Sequence, residues 1–371
     1  MGRLRTLVRP LLCAATVVTV AACGGDDDPA PASSETTGAT TTTAAPDDEQ
    51  PDDEVGAGDT GDDRTVERDE EFLASLDGYL VFSSERDDPD DDSHDDLYQM
   101  RPDGSDVVRI TDNERNDWWP QVVDDGGALL LGRDYPDESR SPRSGHSAWG
   151  IWLLDGSGDA VDLTDDNEFN SGPRLSPDGT RILFTSARDD SQGFDDAGLL
   201  QLGLTAVWVM ERDGSDAQKL SDDGANAGAW SPDGSEIVFT AATERDGPSD
   251  IFVMAADGSD VRQVTDTDID EARPDWSPDG TSIVFDADDG DGDTEIFVIG
   301  VDGSGLRQLT DNDTDDDFAR WSHDGEAIAF TSDRDGNSEI YVMAADGSSQ
   351  SNISADPALD IYPSWSEVPF G

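Results

Sequence analysis

The phrase Trp-Ser-Pro-Asp-Gly occurs at residues 230–234 and 276–280, and a variant with histidine in place of proline follows at 321–325. The tryptophans of these copies are 46 and 45 residues apart. Related copies lie at residues 175–179 and, as Trp-Ser alone, at 365–366. A repeat of about 45 residues is typical of the blade of a β-propeller, which is a sheet of four short strands.

Three further segments follow each copy in a constant order. The second has the composition of a strand, as in Ile-Val-Phe-Thr at 237–240. Pro-Asp-Gly separates the first and second segments and Asp-Gly-Ser the third and fourth, and glycine supplies the positive φ that tight hairpins need. The third segment occurs six times, at residues 97–100, 151–154, 207–210, 251–254, 296–299 and 340–343. We therefore predict an all-β fold, a six-bladed β-propeller of four-stranded antiparallel blades.

The two ends of the repeat region complement each other. Its first strand, at residues 79–83, is of the second type, so the opening blade lacks its innermost strand. Residues 363–366 resemble that missing strand. We predict that the C-terminal strand closes the ring, which removes two open sheet edges that would otherwise invite aggregation.

The repeats resemble the WD-like PD40 repeats of the TolB family of propellers. The resemblance rests on Pro-Asp-Trp-Ser-Pro-Asp-Gly at 274–280, Asp-Arg-Asp-Gly-Asn at 333–337 and Glu-Ile-Tyr-Val-Met at 339–343. It covers nearly all of residues 79–366 and implies the fold but no particular function, because one propeller hosts many tasks. That family has an α/β domain before the propeller, where this chain has an acidic segment, so we do not carry the Tol role over.

The first 22 residues have the pattern of a bacterial lipoprotein signal peptide. Three arginines precede an apolar run at 11–20, about half the length that a membrane-spanning helix needs, and small residues lead to Cys23. We expect cleavage before Cys23 and a lipid on its thiol; an ordinary signal peptide with an incidental cysteine is the alternative. Residues 23–72, rich in Thr, Pro and Asp, are predicted to be a disordered tether, and residues 73–371 the propeller.

The charge of the chain is extreme. It has 23 basic and 86 acidic residues, a formal net charge of −63. Such a field repels nucleic acid and anionic lipid and favours cations or basic partners. The alternative is that dense carboxylates keep the protein hydrated at high salt. Only Cys13 and Cys23 are present, so we expect no disulfide in the mature chain, which would lose the first and carry lipid on the second.

Catalytic patterns are absent from the sequence. No serine lies in a Gly-x-Ser-x-Gly turn, and the histidines are only three: His94 and His146 in long loops and His323 in a repeat turn. We predict that the protein is not an enzyme and needs no cofactor.

An acid or amide recurs five residues before the repeat's tryptophan or its equivalent, where the chain enters each innermost strand. These residues are Asp117, Asn170, Asn226, Glu271, Asp316 and Asp360, of which Asn226 stands one position late, beside Ala225. We predict that they surround the mouth of the central channel and bind a cation or a basic peptide. The alternative is that each side chain caps its own turn.

One acidic turn is a candidate Ca²⁺ site because its alternating carboxylates offer the oxygen ligands that this cation requires. Its residues are Asp286, Asp288, Asp289, Asp291 and Asp293. Thr294 stands where a calcium loop would have glycine, and an acidic hairpin turn without metal is the alternative.

The long insertions, at residues 85–96, 133–150 and 187–205, all join second to third strands and so share one face, which we call the loop face. Long loops on a rigid scaffold usually carry binding. We predict a monomeric, non-catalytic cell-envelope lipoprotein that binds a basic envelope or secreted protein or peptide through this face, with Trp149 as a contact. It would meet the membrane only through its lipid. The alternative is a carbohydrate- or cation-binding propeller with lyase or hydrolase activity.

Overall fold

The computed structural model describes residues 68–86, 94–135, 149–166, 168–188, 205–243, 247–288, 290 and 292–371. The predicted signal peptide, Cys23 and all but the last five residues of the predicted tether lie outside these ranges. In the described part of the chain, no helix is long and apolar enough to cross a membrane.

The strands form six separate four-stranded antiparallel sheets, which confirms the predicted fold. The first blade consists of β24 (Asp360–Ser366), β1 (Tyr79–Ser84), β2 (Asp96–Met100) and β3 (Val108–Arg109). The second consists of β4 (Asp117–Val123), β5 (Ala128–Asp134), β6 (Trp149–Asp155) and β7 (Ala160–Asp162). The third consists of β8 (Asn170–Leu175), β9 (Arg181–Ser186), β10 (Ala206–Glu211) and β11 (Gln218–Lys219).

The remaining blades repeat this order. The fourth consists of β12 (Ala225–Trp230), β13 (Glu236–Ala242), β14 (Ser249–Ala255) and β15 (Arg262–Gln263). The fifth consists of β16 (Glu271–Trp276), β17 (Ser282–Asp288), β18 (Thr294–Gly300) and β19 (Arg307–Gln308). The sixth consists of β20 (Asp316–Trp321), β21 (Ala327–Ser332), β22 (Glu339–Ala344) and β23 (Ser351–Asn352).

The ring closes as predicted. The last strand, β24, pairs with β1 in antiparallel register, with Leu80 opposite Trp365 and Ser84 opposite Asp360. The innermost strands β24, β4, β8, β12, β16 and β20 each contact the next in this order, and β20 contacts β24. The six inner strands therefore surround a central channel, and blades three and six lie opposite each other.

The repeated tryptophans pack between neighbouring blades. Trp276 of the fifth blade lies against Ala229 and Val238 of the fourth. Trp230 and Trp365 also donate their indole N–H to the carbonyl oxygens of Arg174 and Arg320, each at 3.1 Å, in the preceding inner strand. The fourth and first blades are therefore tied to the backbone of the preceding blade by these two bonds.

The Pro-Asp-Gly turns are held by their own side chains. Ser231 Oγ donates to Asp233 at 2.8 Å, and Asp233 also accepts from the N–H of Ser235 at 2.9 Å. The hydroxyl of Ser235 also donates to Asp233, at 2.6 Å, and together with the other two bonds it lowers the pKa of Asp233 to about 2. His323 replaces the proline in the sixth blade, where Ser322 makes the equivalent bond to Asp324 at 2.6 Å.

A short helix, α1 (Glu70–Leu73), precedes the first blade. Asp69 caps it by accepting from the N–H of Phe72 at 3.0 Å, and Ser349 Oγ donates to the same side chain. Leu73 is buried against Phe82 and Trp365. Residues 68–72, which the sequence assigns to the tether, thus pack on the propeller together with residue 73.

Candidate functional site: the inner ring and the central channel

The predicted ring residues occupy equivalent places at the entrance of the inner strands. Five of them are the first residue of their strand, and Asn226 is the second residue of β12. Asp117, Asn170, Asp316 and Asp360 are fully buried, and Glu271 is 2 % exposed. Asn226 is half-buried. The structure therefore places these side chains inside the blades rather than on the surface.

In four blades an arginine at or just beyond the end of the second strand binds the ring residue. Arg86 lies 2.5 Å from Asp360 and Arg334 lies 2.5 Å from Asp316. The other two arginine contacts are Arg133 Nη2 to Asp117 at 2.7 Å and Arg188 Nη2 to Asn170 at 3.1 Å. In three of the four the arginine Nε also donates to a serine two residues earlier, Ser84, Ser186 or Ser332.

The same arginines stack on aromatic rings of their own blade. Arg334 lies 4.7 Å from the ring centre of Tyr341, and Arg188 lies 4.8 Å from that of Phe184. A guanidinium held by a carboxylate, a hydroxyl and a ring face has little freedom left for a ligand. The pattern Ser-x-Arg at 84–86, 186–188 and 332–334 was visible in the sequence, and it was the signal for these partners that our sequence analysis missed.

In the fifth blade, hydroxyl groups and a backbone N–H, rather than an arginine, bind the ring residue. Glu271 accepts hydrogen bonds from the hydroxyls of Thr265 and Thr267 and from the N–H of Ile251. Burial nevertheless raises the pKa of Glu271 to about 7. Burial likewise raises the pKa of Asp360 to about 6, although the charge of Arg86 opposes the shift. These values follow from the cost of removing a carboxylate from water.

The geometry of the ring favours a structural role within each blade, which the sequence left open as the alternative to binding a cation or a peptide. Five of the six ring side chains are buried, and five of the six contact groups of their own blade or the link that leads into it. Ion or peptide binding by these residues stays a prediction. The exposed carboxylates of the loop face lie instead in the links between blades. These links carry Asp112, Glu114, Asp165, Asp222, Asp223, Asp266, Asp268, Asp311 and Asp313.

The candidate Ca²⁺ turn is only partly described, because Asp289 and Asp291 lie outside the described residues. Asp286 is fully buried and lies 2.5 Å from Arg273. Asp288 is exposed and accepts from the N–H of Gly290 at 2.7 Å, and Asp293 precedes β18. No group of three or more potential ligands is placed to hold a metal within the described ranges. Ca²⁺ binding stays a prediction, with Asp286 already bound to an arginine.

The expectation that Trp149 contacts a partner is wrong. Its side chain is 6 % exposed and stacks on Trp118 with ring centres 3.6 Å apart. Trp118, Trp119, Phe169 and Tyr362 complete an aromatic cluster. Trp149 begins a strand rather than belonging to the insertion before it, so its side chain packs into the fold.

A repeated irregularity shapes the channel lining. The pairing register shifts in all six inner strands, between the second and fifth residues of five of them and between the third and fifth residues of β12. In four of them the third residue has a positive φ although it is not glycine: Trp119, Arg273, Phe318 and Tyr362. Backbone in this region costs on the order of 1–3 kcal/mol per residue and often occurs at functional sites.

The comparisons with known proteins confirm the resemblance. A family model described as the TolB beta propeller domain matches residues 197–290 and 273–368. The uncharacterized protein Atu1656 of Agrobacterium fabrum is 31% identical over 142 residues, which are 35% of this chain and 43% of that protein. The Tol-Pal system protein TolB of Anaeromyxobacter dehalogenans is 33% identical over 137 residues, 36% of this chain and 28% of that protein.

The solved structures agree on the fold. The crystal structure of TolB from Acinetobacter baumannii superposes with a TM-score of 0.63 at 19% identity, over 78% of this chain and 66% of that one. This chain spans less than half the length of the curated relatives that it matches.

Proposed function

The folded domain of this chain is a TolB-like β-propeller, and on that premise we propose that it is an exported, non-catalytic binding protein. It takes a basic protein or peptide partner through its loop face and is anchored to the cell envelope by lipid on Cys23. In this proposal the inner ring of acids holds the blades together and contributes to binding by its charge.

The exposed carboxylates of the interblade links carry this proposal. Five of the six links place at least one exposed acid on the loop face. In a chain of net charge −63, these acids attract a basic segment and accelerate its encounter. The name of the Anaeromyxobacter relative, Tol-Pal system protein TolB, also supports a protein partner in the envelope.

Charge reversal on the loop face tests the proposal. D311K/D313K changes two exposed link residues, and E211K/E326K makes the same change in net charge at exposed residues on the opposite face. We expect capture of basic proteins from an envelope extract by the immobilised full chain to fall at least about tenfold for the first variant only. Equal losses in both variants would show that net charge, and not the loop face, governs binding.

The lipid anchor has its own test. The C23S variant should appear in the soluble fraction of the producing cell, while the unchanged chain stays with the membrane and carries a diacylglycerol mass increment. Release of both forms into the soluble fraction would contradict anchoring and leave the propeller proposal intact.

The alternative is a carbohydrate- or cation-binding propeller with lyase or hydrolase activity, including Ca²⁺ in the turn at 286–293. Calorimetry of the full chain with Ca²⁺ and with cell-wall glycans separates it from the first proposal. Turnover of a glycan by the full chain would overturn the non-catalytic proposal.

A further inference from the structure

A cavity lies within the central channel, among residues of four inner strands. Its space of about 190 Å³ includes the solvent at its open mouth, and it is lined by Trp119 of β4, Arg174 of β8, Phe318 and Arg320 of β20 and Tyr362 of β24, together with Pro120 and Pro363. It is separate from the link acids of the loop face. Its lining combines two cationic side chains with three aromatic ones.

The two arginines enter the cavity from opposite blades, the third and the sixth. Arg174 Nη1 donates to the carbonyl of Pro173 at 3.1 Å. Arg320 Nη1 donates to the carbonyls of Ala319 at 2.7 Å and Arg273 at 3.2 Å. Each guanidinium is thus oriented by backbone oxygens through a single nitrogen, and its other N–H groups remain for a ligand.

Neither arginine forms an ion pair with a carboxylate of the described residues. The contrast within the channel is Arg273, which pairs with Asp286 at 2.5 Å and with Asp317 at 3.5 Å. Asp275 acts electrostatically on both arginines, and Asp286 and Asp317 act on Arg320, but none of these three carboxylates forms an ion pair with either arginine. Both guanidinium groups therefore line the cavity without a direct acidic partner among the described residues.

The electrostatics of the cavity favour an anion. Burial and, second to it, the charge of Arg320 lower the pKa of Arg174 to about 9, while the charge of Asp275 opposes the shift. Burial also lowers the pKa of Arg320. Both arginines are half-buried, and two like charges that face one cavity repel each other, so an anion between them is stabilised.

The rest of the lining is apolar and leaves room. Phe318 and Tyr362 meet edge to face with ring centres 4.4 Å apart, and Trp119 lies 5.5 Å from Tyr362. Blade three has Gly172 at the position that these residues occupy in their own strands, and a Cβ built there would meet no atom within 4 Å. The third blade therefore has open space at the strand position where β4, β20 and β24 carry an aromatic ring.

We infer that this cavity binds a carboxylate group, held between Arg174 and Arg320, with the apolar part of the ligand against Trp119, Phe318 and Tyr362. The planar fork of a guanidinium matches a carboxylate. A single carboxylate also carries the smallest charge into a chain of net charge −63, so it is repelled less than a phosphate. The inference does not depend on the loop-face proposal, because it concerns a different part of the propeller.

The test uses the full chain and 4-fluorophenylacetate, observed by ¹⁹F NMR at fixed ionic strength, with 4-fluorophenylacetamide as the neutral match. We expect saturable binding of the acid and none of the amide. A crystal soaked with 4-bromophenylacetate should show its bromine signal beside the aromatic wall. Equal binding of the acid and the amide, or a bromine outside the channel, would overturn the inference.

Matched variants test whether Arg174 and Arg320 are the residues that bind the carboxylate. R174Q and R320Q should each weaken binding of the acid at least about tenfold, because each removes charge-assisted hydrogen bonds. R181Q is the control: Arg181 also donates to a carbonyl, that of Ala256 at 3.3 Å, and does not line the cavity. Unchanged binding in both R174Q and R320Q would overturn the site. The comparison of acid with amide in the unchanged chain remains decisive if a variant fails to fold.

Competition identifies the source of the carboxylate. Displacement of the probe by Gly-Gly-Phe but not by its C-terminal amide would assign a peptide end, and displacement by galacturonate would assign a sugar acid. Inorganic phosphate that displaces the probe more strongly than either would overturn the preference for a carboxylate. Binding of the probe should persist in D311K/D313K, so failure of the loop-face proposal is distinguishable.

Discussion

At the residue scale, the inner ring is a set of buried acids and amides with local partners. Asp316 is fully buried, and Arg334 and the amide of Asn312 contact the same carboxylate oxygen at 2.5 and 2.8 Å. A buried charge that keeps its partner is tolerated, whereas one that loses it is strongly destabilising. The ring residues therefore matter first for stability.

Removal of one arginine tests this role. R334M should lower the free energy of unfolding by about 3–5 kcal/mol near neutral pH, because it leaves Asp316 buried without its cation. Adding D316N should restore part of the loss. The control R262M removes a half-exposed pair with Glu236 at 3.5 Å and a hydrogen bond to the carbonyl oxygen of Val301 at 2.8 Å, and it should cost about 1–2 kcal/mol. Urea denaturation measures all three, and equal costs for R334M and R262M would contradict the role.

Asp95 should make stability depend on pH. Burial raises the pKa of Asp95 to about 7, although the indole N–H of Trp118 donates to it. Because the folded pKa exceeds the unfolded one, the folded state binds more protons, and the free energy of unfolding falls as pH rises from about 4 to about 7.

The D95N variant isolates this contribution. Between about pH 5 and pH 8 the unchanged chain should lose about 2–3 kcal/mol more than D95N, because the asparagine cannot ionise. Urea midpoints at the two pH values measure the difference. The other buried acids remain in both proteins and cancel. Parallel pH profiles would show that Asp95 ionises at its ordinary pKa.

At the element scale, the decisive strand is β24, which joins the two ends of the chain. It pairs with β1, and it contributes Trp365, Ile361 and Tyr362 to buried clusters. Without it, β1 would present an unpaired edge to other molecules.

Truncation tests the closure. A chain ending at Leu359 should lose cooperative unfolding and associate on size-exclusion chromatography, because the first blade loses its inner strand. A chain ending at Glu367 is the control. It keeps β24 and loses only the terminal contacts, such as the bond from the N–H of Phe370 to Gln99 at 2.8 Å. A monomeric, cooperatively folded shorter chain would contradict the structural role of β24.

At the scale of the whole molecule, the large negative net charge has the strongest influence on how stability depends on salt. In a chain of net charge −63 the acidic side chains repel one another at low ionic strength, and salt shortens the range of that repulsion to a few ångströms. The Arg–acid pairs inside the blades are shielded from salt by burial, whereas the exposed link acids are not. We therefore expect added salt to change the stability through the exposed link acids rather than through the buried ion pairs.

Salt titration measures this response. The urea midpoint of the full chain should rise between about 0.05 M and 1 M sodium chloride, because screening relieves repulsion that the folded state concentrates. The variant D222N/D223N/D266N/D268N carries four fewer exposed acids and should gain less. A midpoint that falls with salt would contradict adaptation of this surface to high salt.

The sequence by itself determined the elements that depend on near neighbours. The Ser231–Asp233 turn closes within a few residues, and the six copies of the third segment fix the number and order of the blades. Ring closure followed too, because a strand missing at one end was present at the other. These features need only local bonds and repetition.

Only the tertiary structure decided which side chains face the channel and what they meet there. A register shift in each inner strand reverses the alternation of side chains, so period-two reasoning fails beyond it. Arg174 and Arg320 come together across the ring from strands of different blades. Asp316 binds Arg334, which lies just beyond the end of the next strand of its own blade. Packing between segments distant in sequence sets burial, pKa and partners, and a pattern read along one strand does not contain that information.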